Sequence, residues 1–480
     1  MGPAISTYAA VKSLVEAGMD VARLNFSHGD HELHRQWFAW VREAAEDTGR
    51  NVAVLQDIQG PKLRVGTFPG GAVELEAGST VTLTTDDVTG SESVIPVDYE
   101  YLTEDLKVGD TVLLADGLIV LDVTSVDPFG VTAVVEAGGI LGSHKGCAFP
   151  ETNLRVPSVT SKDRLDLQLG RELGVDYVAA SFVRTGEDVR SVRDLTGDAP
   201  VIAKVELAMA YENLDDILSE AAGVMVARGD LGVQLPLERI PTVQADILTR
   251  TNAAGRISIT ATEMLESMTH APRPTRAEVT DVATAVMSGT DAVMLSAETA
   301  IGEYPSQTIA MMARICVEAE SAPMTTDQAV PFVGAVNRVA SAVAQAATEA
   351  ASNLGIRTIV AFTESGSTAR LISKYRPQAT IVAFTPLDDT RRRMALYWGV
   401  TAYPFERREY TDHEIAAAEK FLEREELCHR GDLVVMVAGI PPNQRSATNL
   451  MKIHLVGERV GGVLSHRSGR RSPEIGGLGV

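Results

Sequence analysis

This sequence has few cysteines, no long apolar run and fewer basic than acidic residues. Its 480 residues include three cysteines, Cys147, Cys316 and Cys428, which lie far apart and show no metal-type spacing. This usage argues against a disulfide framework and predicts a reduced, cytoplasmic protein. No apolar run approaches the roughly 18 residues that a membrane span needs. The amino terminus lacks the basic start and apolar core of a signal peptide.

Basic residues are too few to balance the acidic ones. The chain has 43 lysines and arginines against 64 aspartates and glutamates, a net charge of −21. Such an acidic surface argues against nucleic acid and anionic membrane as partners, although a local pocket can still attract anionic substrates. The hydrophobic content of 45% and the charged content of 22% are ordinary for a globular protein with a sizeable core. The length suggests roughly three domains.

Two apolar runs each end in an acidic residue with a cation nearby. Residues 201–206 contain Lys204 and Glu206, and residues 224–232 contain Arg228 and Asp230. Two carboxylates at strand ends suit a hard dication such as Mg²⁺, and a lysine beside them suits a transferring phosphoryl group. Either acid alone is more often a helix N-cap or a solvated ion pair. Together they predict a metal-assisted phosphoryl transfer site.

One pattern recurs along the chain: a helical stretch ends at glycine, and a Val/Ile/Ala run follows. This alternation of helices and strands indicates an α/β fold. The junction glycines are Gly18, Gly174, Gly223, Gly255 and Gly289. Glycine suits a helix C-cap, and unbroken apolar runs suit parallel strands covered on both faces. The predicted strands start at Val21, Val52, Tyr177, Val201, Val224, Ile257 and Ala292. Polar residues at the carboxyl end of each strand are typical of a (β/α)8 TIM barrel active site.

The pattern changes twice along the chain, which predicts further domains. Residues 1–65 and 154–325 are assigned to the catalytic barrel. Residues 66–153 are assigned to an inserted small β-barrel lid domain, because short alternating runs there are separated by turns such as Asp116-Gly117. Residues 332–460 show a second helix–strand alternation, with predicted strands at 359–362, 381–384, 433–438 and 453–456, and are assigned to a C-terminal α/β regulatory domain. The Gly-, Arg- and Ser-rich residues 461–480 are predicted to be a disordered tail.

Eight short segments along the chain carry the polar and charged residues suited to chemistry. They are RLNFSHG (23–29), DIQGPKLR (57–64), SFVR (181–184), VIAKVE (201–206), VMVARGDLG (224–232), TATEMLESM (260–268), PRPTRAE (272–278) and MLSAET (294–299). In this order and spacing the chain resembles pyruvate kinase, in particular its lysine-type, bacterial-like members, over nearly its whole length. The resemblance implies transfer of the phosphoryl group of phosphoenolpyruvate to ADP, giving pyruvate and ATP, in the last step of glycolysis.

The resemblance also implies catalytic roles for matching residues. Glu206 and Asp230 would hold Mg²⁺ or Mn²⁺ between the substrate carboxylate and the enolate oxygen. Lys204 would stabilise the phosphoryl oxygens and the developing enolate, and Arg23 would pair with the same phosphate. Thr262 would protonate the enolate carbon or orient a relaying water. The water route is physically easier, because a lone hydroxyl is a poor acid.

Two binding sets are implied in the same way. The substrate-binding set is Arg23, Ser181, Phe182, Lys204, Ala227, Arg228, Gly229, Asp230 and Thr262. Within it, the backbone of residues 227–230 at a helix start would receive the substrate carboxylate. The nucleotide-binding set is Asn25, His28, Arg64 and Lys145. The lid is expected to close over ADP and to exclude water from the phosphoryl group.

A hydroxyl-rich loop in the third domain resembles the family's effector site. Its residues are Thr363, Ser365, Ser367 and Thr368. Hydroxyls and free backbone amides at a helix start suit an anion, which implies an allosteric sugar-phosphate or nucleotide effector. A simple capping loop is the alternative, and Glu364 disfavours an anion. A homotetramer is implied by resemblance alone.

The amino terminus departs from the family pattern. Family members have a strand that ends in a Gly-Pro-Ala turn, whereas this chain opens on the turn itself, Gly2-Pro3-Ala4. The first barrel strand is therefore missing, and the expected cause is a start site assigned too late or a truncation. A barrel that lacks one strand exposes two edges. A genuine truncation would predict poor folding and little activity.

Two other functions stay open. One is another Mg²⁺-dependent, enolate-forming TIM-barrel enzyme such as a lyase or aldolase, which Arg64, Lys145 and the lid disfavour. The other is an inactive, truncated binding protein, which only the shortened start supports. Glu263 stands where the family commonly has glutamine, and a buried glutamate there would have to be paired or protonated.

Lys62 stands where potassium-dependent family members have glutamate, and Ile58 and Gln59 replace their threonine and lysine. A lysine ammonium can supply the monovalent charge near the phosphate. Lys62 is therefore the expected substitute for the cation, although the potassium ligands Asn25, Ser27 and Asp57 are present and, with Ile58, form a possible monovalent-cation set. We predict comparable steady-state turnover in sodium-only, tetramethylammonium and potassium buffers. Strict dependence on potassium would contradict this prediction.

Overall fold

The computed structural model describes residues 1–150, 152, 154–321, 337–406, 408, 410–440 and 448–458. The predicted disordered tail, 461–480, and the first residues of the predicted third domain, 332–336, lie outside this part of the chain. Within the described ranges, no helix combines the length and apolarity needed to span a bilayer.

A parallel sheet curled into a partial barrel forms the largest unit. Its strands, paired in this order, are β1 (Val21–Asn25), β2 (Ala53–Asp57), β3 (Tyr177–Ala180), β4 (Val201–Val205), β5 (Gly223–Ala227), β6 (Ile257–Ala261) and β7 (Ala292–Val293). All seven predicted strands are confirmed, each starting within one residue of its predicted position. Strands β2 to β6 are buried on both faces, which explains their unbroken apolar runs.

Helices alternate with these strands. They are Tyr8–Ala17, His31–Thr48, Ser161–Leu173, Gly186–Thr196, Ala208–Glu212, Leu214–Glu220, Arg228–Gln234, Ile240–Ala253, Arg276–Met287, Ala297–Ala300 and Pro305–Ser321. Four of the five junction glycines have the positive φ angles expected after a helix, from 64° at Gly255 to 117° at Gly18. The prediction for Gly223 is wrong, because this residue begins β5. A Cβ there would lie 2.4 Å from the carbonyl oxygen of Ile257.

The first residues of the chain contact the edge strand β1 and the helix Ala297–Ala300 that follows the other edge strand, β7. Within the described ranges, β1 and β7 each pair with a single strand. The amino group of Met1 donates to the carbonyl of Arg23 in β1 (2.9 Å), and the Ala4 amide donates to the carbonyl of Ala300 beyond β7 (2.9 Å). Residues 1–4 therefore link β1 to the helix Ala297–Ala300.

The insertion after β2 is a β-unit with its own core. Its main sheet pairs Cys147–Ala148, Thr111–Leu114, Ile119–Asp127, Gly130–Ala137, Thr80–Thr84 and Val94–Pro96 in that order, Ala72–Leu75 pairs with Gly139–Gly142, and one short helix spans Leu102–Asp105. The predicted Asp116-Gly117 turn is confirmed, with positive φ at both residues. Leu83, Leu114 and Leu121 belong to an apolar cluster separate from the barrel core, so the insertion is more than a decorated loop.

The third unit is a five-stranded sheet with helices. Its strands are β8 (Thr358–Phe362), β9 (Thr380–Thr385), β10 (Val400–Pro404), β11 (Leu433–Ala438) and β12 (Leu450–Leu455), in the order β10-β9-β8-β11-β12, with β12 antiparallel. Its helices are Arg338–Leu354, Ser367–Lys374, Asp388–Arg393 and Thr411–Arg424. The predicted strands at 359–362, 381–384 and 433–438 are confirmed, whereas the last strand begins three residues before its predicted start at 453.

The three cysteines are all free thiols. Cys147 lies in the core of the insertion, Cys428 in the core of the third unit, and Cys316 is half-buried on a barrel helix. Burial raises the pKa of Cys147, and burial followed by nearby acidic side chains raises the pKa of Cys316 and of Cys428 to about 11. All three thiols are therefore protonated at neutral pH.

Two buried aspartates join the third unit to the amino-terminal ends of the barrel strands. Asp176 directly precedes β3 and accepts a hydrogen bond from Nε of Arg392 at 2.8 Å. Asp291 directly precedes β7 and pairs with Lys374 and with Nη2 of Arg376, the latter at 2.9 Å. The third unit therefore docks at the end of the barrel opposite the carboxyl ends of the strands.

We predict that Asp176→Ala lowers the free energy of unfolding by about 3 kcal/mol, because it removes the buried partner of Arg392 and of Arg42. The control Asp47→Ala removes an exposed pair with Lys12 and should cost at most about 1 kcal/mol. Calorimetry and urea unfolding measure both variants. Equal losses would show that Asp176 contributes no more than a surface ion pair.

Candidate active site

The carboxyl ends of the barrel strands bring most of the predicted polar residues to one rim. Because neighbouring parallel strands all point the same way, groups at their ends meet at one edge of the sheet. The rim residues are Arg23 of β1, Asp57 of β2, Ser181 after β3, Lys204 of β4, Glu206 after it, Asp230 after β5 and Thr262 after β6.

Lys204 is the centre of this rim. Its Nζ lies 2.7 Å from Oγ of Ser181, 2.8 Å from Oε1 of Glu206 and 3.3 Å from Oδ1 of Asp57. Burial opposes the charged form, but the carboxylates of Asp57 and Glu206 outweigh burial and raise the pKa of Lys204 above its usual range. The ammonium is therefore charged at neutral pH and is held in a fixed position.

Asp57 joins Arg23 to the same cluster. Nε and Nη2 of Arg23 each lie 2.6 Å from Oδ2 of Asp57. Burial alone would raise the pKa of Asp57, yet Lys204 and Arg23 together hold it below its usual range. Asp57 therefore remains a carboxylate and fixes the two cations side by side.

The two predicted metal-binding carboxylates line one cavity. Glu206 and Asp230 border one open cleft, together with Phe182 and Asp116 of the insertion. Burial raises the pKa of Glu206, Lys204 opposes this effect, and the charge of Asp230 raises the pKa further. The two carboxylates are thus close enough to influence one another.

From the barrel rim, the cavity offers two carboxylates to a cation, those of Glu206 and Asp230. In the part of the chain that the structure describes, no three His, Cys, Asp or Glu side chains gather as a metal site. Mg²⁺ is usually bound through one or two carboxylates, with water and substrate oxygens completing its octahedron. The donor set of Glu206 and Asp230 fits that chemistry.

Lys62 faces the second of these carboxylates. Its Nζ lies 3.2 Å from Oδ1 of Asp230, 4.0 Å from Oδ1 of Asp116 and 5.9 Å from the ring centroid of Phe182. Phe182 has a positive φ of 55° and donates its amide to Oε2 of Glu206 at 2.6 Å. The predicted substitute for potassium therefore lies beside the predicted magnesium site.

Other members of the predicted monovalent-cation set make internal contacts. The side-chain oxygen of Asn25 accepts the Ser27 amide at 3.1 Å. The carbonyl of Ile58 accepts the hydroxyl of Ser181 at 2.7 Å. Together with the two cations on Asp57, these contacts occupy several of the oxygens that a monovalent cation would need.

Arg228 directs its side chain into the protein. The guanidinium donates to the carbonyls of Thr262 (2.6 Å), Ala261 (3.2 Å) and Glu263 (3.2 Å), and Nη1 lies 2.6 Å from both carboxylate oxygens of Asp281. Arg228 therefore leaves its backbone as the group suited to substrate. Sequence reasoning missed Asp281, because an aspartate inside a helix gives no strand-end signal.

Thr262 lies in a turn with unusual backbone angles. Its φ is 64° and that of Glu263 is 52°. Its hydroxyl donates to the Ala261 carbonyl at 2.7 Å and accepts the Gly229 amide at 2.8 Å. The side chain of Glu263 is exposed, so it escapes the pairing or protonation that a buried glutamate would require.

The four predicted nucleotide-binding residues come from two parts of the chain. Asn25 ends β1 and is followed by the exposed His28, whereas Arg64 and Lys145 lie where the insertion leaves the barrel. Nη1 of Arg64 donates to the carbonyl of His144 at 2.9 Å, and Lys145 is exposed. The set therefore combines a barrel side with a lid side.

The predicted effector loop joins β8 to the helix Ser367–Lys374. Thr363 and Thr368 are buried, and the hydroxyl of Thr368 shares a 2.7 Å hydrogen bond with that of Thr448. Ser365 is exposed and donates to Ser367 at 3.1 Å. The outward-facing part of the loop is thus its two serines and the neighbouring backbone.

Known proteins match nearly all of the chain. The family model "Pyruvate kinase, barrel domain" matches residues 1–309, and "Pyruvate kinase, alpha/beta domain" matches residues 341–454. A pyruvate kinase of Geobacillus stearothermophilus is 42% identical over 95% of this chain and 79% of its own length. One of Corynebacterium glutamicum is 41% identical over 95% and 96%. The crystal structure of a pyruvate kinase from Cryptosporidium parvum matches with a TM-score of 0.89 and 36% identity, covering 95% of this chain and 94% of its own.

The positive φ at Glu263 gives a testable stability effect. We predict that Glu263→Gly is more stable than Glu263→Ala by about 0.5–1 kcal/mol, because only glycine relieves the left-handed strain. Both variants lose the same exposed charge, so alanine is the matched control. Thermal and urea unfolding measure the difference, and an alanine variant at least as stable as the glycine variant would contradict the prediction.

Proposed function

This chain belongs to the pyruvate kinase family, an enzyme family that transfers the phosphoryl group of phosphoenolpyruvate to ADP, and we propose that the rim around Lys204 performs this transfer. The observation that supports the proposal most is the convergence of Lys204, Glu206, Asp57 and Arg23 on one buried charge cluster. The family relationship disfavours both alternatives, an enolate-forming lyase or aldolase and an inactive binding protein.

Glu206 and Asp230 are the proposed magnesium ligands. The family uses Mg²⁺, and the two carboxylates line one cavity with their charges coupled. Mg²⁺ or Mn²⁺ bound there supplies positive charge for the substrate carboxylate and the enolate oxygen. Each carboxylate has a lysine partner, Lys204 at Glu206 and Lys62 at Asp230, so each proposed ligand already lies beside a cationic side chain.

Lys204 and Arg23 are proposed to bind the phosphoryl group. Asp57 holds both cations on the same side of the rim, so their charges are oriented before substrate arrives. Preorganised charge of this kind stabilises the negative charge that moves from the phosphoryl oxygens to the enolate. The Arg23 fork suits paired phosphate oxygens, and the Lys204 ammonium acts as a point charge.

Thr262 is proposed to orient the proton delivered to the enolate carbon. Its hydroxyl already donates to Ala261 and accepts from Gly229. A hydroxyl engaged in this way is better suited to positioning a water than to giving up its own proton, which favours the relay. The amides of residues 227–230 are proposed to receive the substrate carboxylate, with Ser181 and Phe182 forming the opposite wall.

ADP is proposed to bind between the barrel and the lid. Asn25 and His28 would contact its phosphates from the barrel, and Arg64 and Lys145 from the base of the lid. Closure of the lid would exclude water and protect the phosphoryl group from hydrolysis. Asp116 of the lid already lies 4.0 Å from Lys62 of the barrel side, so the two units meet above the rim.

Potassium independence remains a proposal, supported by the position of Lys62. Its ammonium lies beside Asp230, where it supplies a monovalent charge to the same region. The internal contacts of Asn25, Ser27 and Ile58 agree with a site that needs no added monovalent cation.

Regulation and assembly are also proposals. Family members bind phosphoenolpyruvate and ADP and are generally oligomeric. For this chain we propose a cytoplasmic homotetramer and an anionic effector, a sugar phosphate or a nucleotide, at the loop of Thr363, Ser365, Ser367 and Thr368. The exposed Ser365 and the helix start at Ser367 support the loop as an anion site.

Lys204→Met tests the proposed function. We predict that it lowers kcat for ADP-dependent pyruvate formation from phosphoenolpyruvate by about 10²–10³-fold, because an oriented positive charge is lost. The control Lys12→Met removes an exposed lysine and should retain activity. Chelation of divalent cations should abolish turnover. Pyruvate formation without ADP would indicate hydrolysis of phosphoenolpyruvate to pyruvate and phosphate in place of transfer, and full activity in Lys204→Met would contradict the assigned role.

A further inference from the structure

One of the segments that join the lid to the barrel is held by the lid through several contacts: Leu154 and Val156 pack against the lid core, and the Arg155 amide donates to the hydroxyl of Tyr99 at 2.9 Å. This segment, residues 154–156, lies between the lid strand Cys147–Ala148 and the barrel helix Ser161–Leu173. Nη2 of Arg155 lies 2.7 Å from Asp105 and 2.8 Å from Glu104, and its guanidinium carbon lies 4.4 Å from the ring centroid of Tyr101. The side chain of Arg155 therefore belongs to the lid.

The barrel holds the same segment through its backbone. Nη1 of Arg184 donates to the carbonyl of Leu154 at 2.8 Å, and Nη2 donates to the carbonyl of Val156 at 3.1 Å. Asp188 accepts from Nε and Nη2 of Arg184, both at 3.0 Å. One mostly buried guanidinium thus contacts two carbonyls and a carboxylate at once, a geometry that lysine cannot reproduce.

Arg184 also lies close in sequence to the catalytic rim. Phe182, two residues earlier, donates its amide to Glu206 and faces Lys62 with its ring. Asn213 donates to the carbonyl of Arg184 at 3.0 Å and further fixes this loop. The loop after β3 therefore contacts both the lid-bearing segment and a proposed metal ligand.

We propose that Arg184 is a positioning residue that seats the lid on the barrel by fixing residues 154–156. Arg155 anchors these residues to the lid, and Arg184 anchors them to the barrel. The segment therefore sets how the lid is positioned on the barrel. Arg184 acts on ADP through the lid and does not touch substrate. This role rests on the proposed nucleotide site between barrel and lid.

The test compares Arg184→Ala and Arg184→Lys with the control Arg190→Ala, an exposed arginine on the neighbouring helix that pairs with Glu187 and Glu220. Both Arg184 variants should raise KM for ADP about tenfold, because charged hydrogen bonds to two carbonyls are lost. KM for phosphoenolpyruvate should change less than about twofold, and Arg190→Ala should match the wild type.

Limited trypsin digestion without substrate gives a readout that is independent of activity. Cleavage after Arg155, followed by mass spectrometry, should be about tenfold faster in the Arg184 variants than in the control, because local opening exposes that bond. If Arg184→Ala fails to fold, Arg155→Lys tests the lid side. This variant keeps the cleavage site, loses the fork to Asp105 and Glu104, and should raise KM for ADP.

Either of two results would overturn the proposal. One is a wild-type KM for ADP in Arg184→Lys, which would show that charge alone suffices. The other is an unchanged cleavage rate after Arg155 together with a lower melting temperature, which would make Arg184 a purely structural residue. If the wild type shows no ADP-dependent activity, the proposed function fails, and the cleavage rates alone decide whether Arg184 fixes the segment.

Discussion

The balance of buried charge around Lys204 is the constraint on which the rest of the rim depends. Lys204 and Arg23 share Asp57, and Lys204 also contacts Glu206, so each member of the cluster has an opposite charge within 3.3 Å. A buried charge without a partner costs several kcal/mol. Because the members stand on β1, β2 and β4, the cluster also fixes the relative positions of these strand ends.

The same barrel uses buried carboxylates differently at its two ends. At the carboxyl ends of the strands, Asp57 and Glu206 hold cations beside an open cavity. At the amino-terminal ends, Asp176 and Asp291 form ion pairs with arginine and lysine side chains of the third unit. One end thus carries the proposed substrate site, and the other joins two units of the chain.

Sequence patterns predicted the features that depend on local chemistry. The strands appear where unbroken apolar runs follow glycine, and the rim residues converge because parallel strands bring their ends together. Features that depend on contacts between distant segments were out of reach. Three contacts show this: Asp281 pairs with Arg228, Arg184 donates to the backbone of residues 154–156, and Thr368 bonds to Thr448. The sequence spacing of these residues does not indicate that they meet. Gly223 was misread because a close approach to Ile257 also demands glycine.

The state of the thiols bears on how the enzyme meets oxidants. Oxidation and alkylation proceed through the thiolate, and burial and nearby acids hold all three native cysteines in the protonated form. Peroxide and electrophiles therefore meet little cysteine thiolate in the native fold.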